Sequence, residues 1–205
     1  MVLSTETEQK IVASAEKLFY RKGKAGTSMQ DIADDAGINR TLLNYYFRSK
    51  DQLFEAVFRR AMGRFVPSLA SMLHSGMGIR EYIPRLVETI IDTMIEHPQI
   101  PIFVLQELSS NPARMPQIIK EMGINSEVGF KKFEQEQVSG VFGQMDPRQF
   151  FMNVLSLCIF PFAARPMVTE FLYHGDDRAY TEAMEQRKKL VPELIMKLTT
   201  EKNEK

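Results

Sequence analysis

The chain has 205 residues, of which 44% are hydrophobic, with 26 lysines and arginines against 26 aspartates and glutamates. This composition is typical of a globular protein with a substantial core, and the balanced charge gives no overall basic character to suggest a nucleic-acid partner. No apolar run is long enough to span a bilayer, and residues 1–6 lack the pattern of a secretory signal. The single cysteine, Cys158, cannot form an internal disulfide, so we expect a cytoplasmic protein with no membrane partner.

Helical spacing of apolar residues runs through almost the whole chain, and no segment alternates with a period of two. The predicted fold class is therefore all-α. The first helix is expected from about Thr5 to Lys22, with one apolar face formed by Ile11, Ala15, Leu18 and Phe19.

Three short helices with clear start and stop signals follow. Ser28, Asn39 and Ser49 are the expected N-caps of the second, third and fourth helices. Gly37 is the expected end of the second helix. Apolar residues at 43 and 47 should turn inward from the third helix, and those at 53, 54, 57 and 58 from the fourth. Two helices that meet at a glycine, the second with a polar face, are typical of a helix-turn-helix.

Longer helices are predicted beyond Met62, where Pro67 and the glycines at 76 and 78 punctuate the chain. We therefore expect a helix-turn-helix DNA-binding domain at residues 1–62 and a larger helical domain at 63–205. The predicted helices span residues 80–96, 101–110, 116–142, 147–162 and 177–199, and the glycines at 123, 129 and 140 are expected to weaken the continuity of the third. Apolar residues surround almost the whole helix at 150–162, which predicts burial on more than one side.

Prolines and apolar spacing give further expectations for these longer helices. Pro161 should kink its helix and Pro192 should interrupt the last one. One stripe of the last helix should contain Tyr180, Met184, Val191, Leu194 and Leu198.

Local charge supports a DNA-reading role for the third helix, although the whole chain is neutral. Residues 40–50 contain Arg40, Arg48 and Lys50 and no acidic residue. Interleaved polar side chains are able to hydrogen-bond to phosphates or base edges: Asn39, Thr41, Asn44, Tyr45 and Tyr46. Positive charge and flexible donors are what phosphate contacts require, so this stretch is the expected DNA surface.

Several side chains on this surface match base-edge patterns. Arg40 is suited to guanine, Asn44 to adenine, and the methyl group of Thr41 to thymine. The alternative is that the tyrosines at 45 and 46 are packing residues and that Arg40 is a solvated surface charge. The aspartates at 31, 34 and 35 oppose a DNA role unless the second helix turns them away from the duplex.

The segment from about residue 8 to 62 resembles the DNA-binding domain of the TetR family of bacterial one-component regulators. The family pattern is a recognition helix ending in Leu-Tyr-x-x-Phe, followed by Lys and a Leu-containing fourth helix. The chain departs at Asn44, where the family usually has tyrosine. The matching positions are Thr27, Ile32, Ala33, Ala36, Gly37, Leu43, Tyr45, Phe47, Lys50 and Leu53.

The resemblance implies a role for each part of the chain. Ser28, Tyr45 and Lys50 would grip phosphates, residues 39–46 would face the groove, and Thr27 belongs to the same expected DNA-binding set. Residues 63–205 would bind a small-molecule inducer and form a homodimer on a palindromic operator, in most cases as a repressor. Nine of the thirteen methionines lie from Met62 to Met167, which suits a ligand cavity as well as ordinary core packing. No ligand-binding residue is singled out.

Dimerisation also has a physical basis, because two recognition helices one turn apart read a palindrome. The helix at 150–162 and the last helix are the expected surface, unless both are buried within the monomer.

Two other classes of protein compete with this hypothesis. A helical enzyme is not favoured, because His74, His97 and His174 lie far apart and Cys158 has no histidine nearby in sequence. We therefore expect no catalytic residue, metal or cofactor. The second alternative is a DNA-bound architectural or partner-recruiting protein that has no ligand.

Overall fold

The computed structural model describes residues 6–139 and 145–200, and every regular element in these ranges is an α-helix. The all-α prediction is confirmed. The twelve helices are α1 (Glu6–Lys22), α2 (Met29–Asp35), α3 (Arg40–Tyr46), α4 (Lys50–Met62), α5 (Val66–His74), α6 (Ile79–Glu96), α7 (Ile100–Ser110), α8 (Arg114–Glu121), α9 (Ser126–Val138), α10 (Pro147–Ala163), α11 (Arg165–Tyr173) and α12 (Asp177–Thr200).

The chain divides into two compact units. The first contains the residues up to Arg64 together with Ile102–Pro112, and the second contains Phe65–Pro101 and the described residues from Ala113 onward. The sequence places residues 102–112 in the larger domain, whereas packing groups them with the first unit. A functional boundary between residues 62 and 63 stays a prediction.

The core of the first unit lies between α1 and α4. Ile11, Ala15 and Phe19 are completely buried on one face of α1, as their spacing predicts. The predicted inward positions of α4 are also buried, with Leu53 and Val57 fully enclosed. Burying a large apolar side chain such as Ile11, Phe19 or Leu53 stabilises the fold by roughly 1.5–3 kcal/mol, so this face provides much of the stability of the first unit.

An aromatic cluster places residues 102–112 in the first unit. Phe103 is 3% exposed, and its ring centroid lies 4.9 Å from that of Tyr20, 5.1 Å from Phe54 and 5.9 Å from Phe58. Tilted and edge-to-face geometry at these distances adds to the energy of apolar burial. One phenylalanine of α7 therefore completes a core whose other members lie on α1 and α4.

The second unit is built around α6, which packs against α10 and α12. Its predicted face is buried, with Ile83, Leu86, Ile90 and Met94 all at most 4% exposed. The predicted stripe of α12 is partly wrong. Ile195 is buried, whereas Leu194 and Leu198 are 37% and 51% exposed.

A single helix over residues 116–142 is not observed. Gly123 adopts a φ of 95°, which only glycine tolerates readily, and it separates α8 from α9. The Gly123 and Ile124 N–H groups donate to the carbonyls of Lys120 and Ile119 and close the end of α8. The predicted end near Phe142 lies outside the described residues.

Both α10 and α12 contain a proline and continue through it. The helix α10 runs through Pro161 to Ala163, and the chain bends by 79° at the break between α10 and α11. The kink predicted at Pro161 itself stays a prediction. The interruption predicted at Pro192 is wrong, because α12 is continuous through this residue. Pro192 is buried between the core residues Val191 and Ile195, and packing on both sides of the proline holds the helix together.

Apolar residues remain exposed on the outer sides of α10 and α12. In the single chain α10 is buried on one side only, through Phe150, Val154 and Cys158, so burial on more than one side is not observed. We call the exposed set the outer apolar residues: Met152, Leu155, Phe160, Leu190, Leu194 and Leu198. Among the described residues no single helix is long and apolar enough to cross a membrane. The helices α10 and α11 meet that length and apolar content only when they are counted together across the 79° bend between them.

Candidate nucleic-acid interface

The third helix presents one polar face outward because its other face is anchored in the core. Leu43 is fully buried and Phe47 is 8% exposed, as predicted. At 3.6 residues per turn, anchoring positions 43 and 47 turns the remaining positions of α3 to the outside. The exposed residues are Arg40, Thr41, Leu42, Asn44 and Tyr45.

The turn between α2 and α3 is closed by main-chain hydrogen bonds. Gly37 has a φ of 67°, and the Ile38 N–H donates to the Ala33 carbonyl at 3.0 Å. This left-handed glycine just after a helix is the arrangement that ends many helices, and it was predicted here. Asn39 then caps α3, its Oδ1 accepting from the Leu42 N–H at 2.8 Å. A DNA contact from Asn39 would therefore use its amide NH₂ group.

Thr27 and Ser28 lie just before α2, but they are placed differently. Thr27 is 1% exposed, and its hydroxyl donates to the Gly23 carbonyl at 2.8 Å. With 1% of the residue accessible, Thr27 has almost no surface to offer to DNA. Ser28 is exposed and forms a capping box, in which its hydroxyl accepts from the Asp31 N–H and the Asp31 carboxylate accepts from the Ser28 N–H.

Lys50 ties the start of α4 to the loop before α2. Its Nζ donates to the Thr27 carbonyl at 3.0 Å, and the side chain is half-buried. An ammonium group has three N–H donors, so this bond leaves capacity for a phosphate oxygen. Lys50 can therefore hold the α4 end in place and offer positive charge at the same edge.

Two tyrosines end α3 in an edge-to-face pair. The ring centroids of Tyr45 and Tyr46 are 5.4 Å apart, with planes at 88°. Tyr45 is 79% exposed, whereas Tyr46 is half-buried. Tyr45 is thus available to a phosphate, and Tyr46 supports its ring from the side.

The three aspartates of α2 are each engaged within the first unit. Asp35 pairs with Lys17 of α1 at 2.6 Å, and the Lys17 ammonium lowers the pKa of this carboxyl. Hydrogen bonds from Ser28 lower the pKa of Asp31. Asp34 accepts from the Gln30 amide at 2.7 Å. Of the three, only Asp35 is paired with a cation, so the ion pair reduces the repulsion of phosphate by Asp35, whereas Asp31 and Asp34 are bonded to neutral groups.

Two features that hold α1 and α4 together were not predicted from the sequence. Phe103 comes from residues 102–112, with no motif linking it to the first unit. The second is Glu16 of α1, 9% exposed, which accepts from Arg64 at 2.6 Å and pairs with Arg60 at 3.2 Å. Arginines four residues apart near the end of α4 give a weak sequence signal for a shared acidic partner.

Groups that could serve an enzyme are scattered or inert. In the described ranges no cluster of three or more histidines, cysteines, aspartates or glutamates has the arrangement of a metal site. Burial raises the pKa of the Cys158 thiol to about 12, so the thiol stays protonated at neutral pH.

Comparison with known proteins gives the same picture. Residues 11–57 match the family model described as bacterial regulatory proteins, tetR family. The HTH-type transcriptional regulator YttP of Bacillus subtilis is 26% identical over 182 residues, 87% of each chain. The HTH-type transcriptional repressor NicS of Pseudomonas putida is 26% identical over 171 residues, 81% of this chain and 80% of NicS.

A solved structure extends the similarity to the whole fold. The transcriptional regulator SCO4942 from Streptomyces coelicolor superposes with a TM-score of 0.72, covering 95% of this chain and 99% of its own. Its sequence identity is 17%, so this likeness concerns the fold.

Proposed function

Since the chain belongs to the TetR family of bacterial regulatory proteins and is a transcriptional regulator with a DNA-binding helix-turn-helix, we propose that it is a ligand-responsive repressor. In this proposal a homodimer holds a palindromic operator, and a small molecule bound in the second unit releases it. Relatives named as regulators make an enzyme the wrong class for this chain. Its place of action would be the cytoplasm, where the operator lies.

The outward face of α3 is the observation that carries the DNA-binding part. Arg40, Thr41 and Asn44 project together from a short helix whose other face is locked by Leu43 and Phe47. Base readout needs such side chains on a narrow helix that fits the major groove, with basic groups at its edge for phosphates. Lys50 and Tyr45 supply that edge, next to the exposed Ser28.

The outer apolar residues support a homodimer. Phe160 is 59% exposed and Leu155 46% exposed on α10, and α12 carries three exposed leucines four residues apart. Water-exposed apolar patches of this kind commonly mark an interface. A two-fold axis would bring α10 and α12 of each chain into a four-helix contact, and the two α3 helices would then address successive grooves.

Chain connectivity supports a route from ligand to DNA. Residues 102–112 belong to the first unit, yet the segments before and after them belong to the second. A rearrangement of α6 or α8 would therefore displace a segment whose Phe103 forms part of the core between α1 and α4. A ligand that favours one arrangement would shift the population between DNA-competent and released dimers.

Selection of bound sequences from a random DNA pool is the primary test. A dimer on two half-sites should enrich a palindrome whose half-sites are about 10 bp apart or a multiple of this. Enrichment of a single short half-site would count against the dimer, and failure to enrich any sequence would overturn sequence-specific reading.

Substitutions separate the base-reading side chains from those that bind phosphate. Lys50→Ala should weaken binding to all sequences alike and reduce the salt dependence of affinity, whereas Arg40→Ala and Asn44→Ala should change the selected sequence. Lys131→Ala, an exposed lysine of the second unit, is the matched control. Because Lys50 also bonds to the Thr27 carbonyl, an unchanged salt slope would identify it as a structural residue.

A ligand-independent regulator is the second candidate. The grooves described in the second unit are open to solvent, such as the one between α5 and α6 lined by Ser68, Met72 and Arg85. Native mass spectrometry of the protein purified from its own host distinguishes the two functions. A small molecule that stays bound and lowers the affinity for the operator supports the repressor. If no compound is retained, or if no retained compound changes the affinity for the operator, the second candidate is supported.

A further inference from the structure

Pro161 removes one hydrogen bond near the end of α10, which closes at Ala163. A proline has no N–H, so the carbonyl four residues earlier, that of Leu157, loses its ladder donor. Arg187 of α12 takes this place, its Nη2 donating to the Leu157 carbonyl at 2.7 Å. Closing a buried carbonyl with a charged donor is worth more than a neutral hydrogen bond.

A second carbonyl, that of Pro161, lacks its helix partner at the bend between α10 and α11. In a continuous helix the Arg165 N–H would donate to the Pro161 carbonyl, but α10 ends at Ala163 and the chain turns. The Tyr180 hydroxyl donates to the Pro161 carbonyl at 3.2 Å instead. Burial raises the pKa of Tyr180 to about 12, so this hydroxyl keeps its proton.

Both donors come from one face of α12. Residues 180 and 187 are seven positions apart, which places them two turns apart on the same side. The Arg165 guanidinium lies 5.1 Å from the centre of the Tyr180 ring and also pairs with Asp177 at 3.1 Å. The first half of α12 thus contacts both helices that meet at the bend, α10 through the two carbonyls and α11 through Arg165.

Arg187 is held in place at a cost. It is half-buried, and its Nε is buried with no acceptor among the residues that the structure describes. A donor without a partner favours a return to solvent. The bond to the Leu157 carbonyl opposes this. If residue 161 had an N–H, the carbonyl would already have its ladder donor, and the Arg187 bond would satisfy a group that was not left without a partner.

We propose that Arg187 and Tyr180 are positioning residues, which donate to the carbonyls of Leu157 and Pro161 that have no helix partner. These two bonds would fix α12 against α10 and so hold the outer apolar residues in the arrangement that binds a second copy of this chain. The inference rests on the proposed homodimer. Neither side chain would touch DNA or ligand; each would act through the placement of residues such as Leu155 and Leu190, which flank the Leu157–Arg187 contact in sequence.

The test is a double-mutant cycle on the full-length protein. Arg187→Met keeps the length of the side chain and removes the donors, and Pro161→Ala restores an N–H for the Leu157 carbonyl. Arg187→Met alone should raise the dimer dissociation constant about tenfold, the effect of losing one charge-assisted hydrogen bond. In the Pro161→Ala background the same change should have at most about a threefold effect. Arg178→Met, an exposed arginine of the same helix, is the control.

Sedimentation equilibrium gives the dissociation constant and circular dichroism gives the unfolding midpoint. An equal loss in both backgrounds would show that Arg187 does not substitute for the missing N–H. A shifted midpoint with an unchanged dissociation constant would reduce Arg187 to a purely structural residue. A monomeric wild type would overturn the proposed homodimer. The same double-mutant cycle, measured through the unfolding midpoint, would then still decide whether Arg187 replaces the missing N–H at the Leu157 carbonyl.

Discussion

Both units have local helix caps, but more helix ends in the second unit are closed by residues that lie far away in the sequence. In the first unit the caps are local: Ser28 bonds to the Asp31 N–H, Asn39 to the Leu42 N–H and Ser49 to the Gln52 N–H, each across three residues. Such caps depend on short sequence patterns, so a segment that carries them has defined ends wherever it is placed.

In the second unit several main-chain groups are closed from far away in sequence. The Ile79 N–H at the start of α6 donates to Glu136 at 2.8 Å, 57 residues later. Lys132 donates to the Ser75 carbonyl at the end of α5, at 3.2 Å. An acid at a helix start and a base at a helix end both favour the helix dipole. Local caps also occur in this unit, from Asn125 at α9, Asp146 at α10 and Asp176 at α12. Tertiary packing therefore sets only some of its helix ends, such as those of α5 and α6.

The largest expected effect comes from the one long-range element of the first unit. Phe103→Ala should lower the free energy of unfolding by about 3–5 kcal/mol, because it empties a site enclosed by Tyr20, Phe54 and Phe58. Denaturant unfolding measures the loss, and hydrogen exchange should show faster opening of α1 and α4.

Ile102→Ala is the matched control for Phe103, because Ile102 is its neighbour on α7 and is 43% exposed. This change should have a small effect on stability. If Phe103→Ala left hydrogen exchange in α1 and α4 unchanged, residues 102–112 would not be part of the core of the first unit. The two units would then differ only in how their helix ends are closed.

Local caps explain why the bounds of α3 were predictable from the sequence, and why those of the helices in the second unit were less so. Ser28, Gly37 and Asn39 mark α2 and α3 in the sequence, and the buried positions 43 and 47 follow from helical spacing. The exposed candidates at 40, 41, 44 and 45 then follow by elimination of the buried face. The burial of Thr27 was not predictable, because the acceptors of its hydroxyl lie in α1 and the following turn.

The errors in the second unit have a common physical origin. Pro192 is a local signal that tertiary packing of Val191 and Ile195 overrides, and α12 continues. Leu194 fits a helical stripe, but the packing of α12 on α6 and α10 selects Ile195 for the core instead. Spacing gives a helix face to within one residue, and only the neighbouring helix decides which residue is buried.

A cap from a distant helix should have an intermediate effect. Glu136→Ala should lower the free energy of unfolding by about 1–2 kcal/mol, since it removes the charged acceptor of the Ile79 N–H and the favourable charge at the start of α6. Urea unfolding measures it, with Glu134→Ala on the exposed side of α9 as the control. Equal losses for both glutamates would show that general charge, and not the cap, is responsible.

The smallest expected effect is at the local cap of α2, and it depends on pH. Hydrogen bonds from Ser28 hold the pKa of Asp31 below its ordinary value of 3.8 in the folded protein. A lowered folded pKa stabilises the protein above the unfolded pKa, and this contribution disappears as the pH falls through the folded pKa. Ser28→Ala should therefore lower the unfolding midpoint at pH 7, and the difference from wild type should shrink below about pH 4. Ser68→Ala on α5 is the control. A difference that stayed constant from pH 7 to pH 2.5 would show that the Asp31 carboxylate has no part in this cap, and the local closure of α2 would then rest on the Ser28 hydroxyl alone.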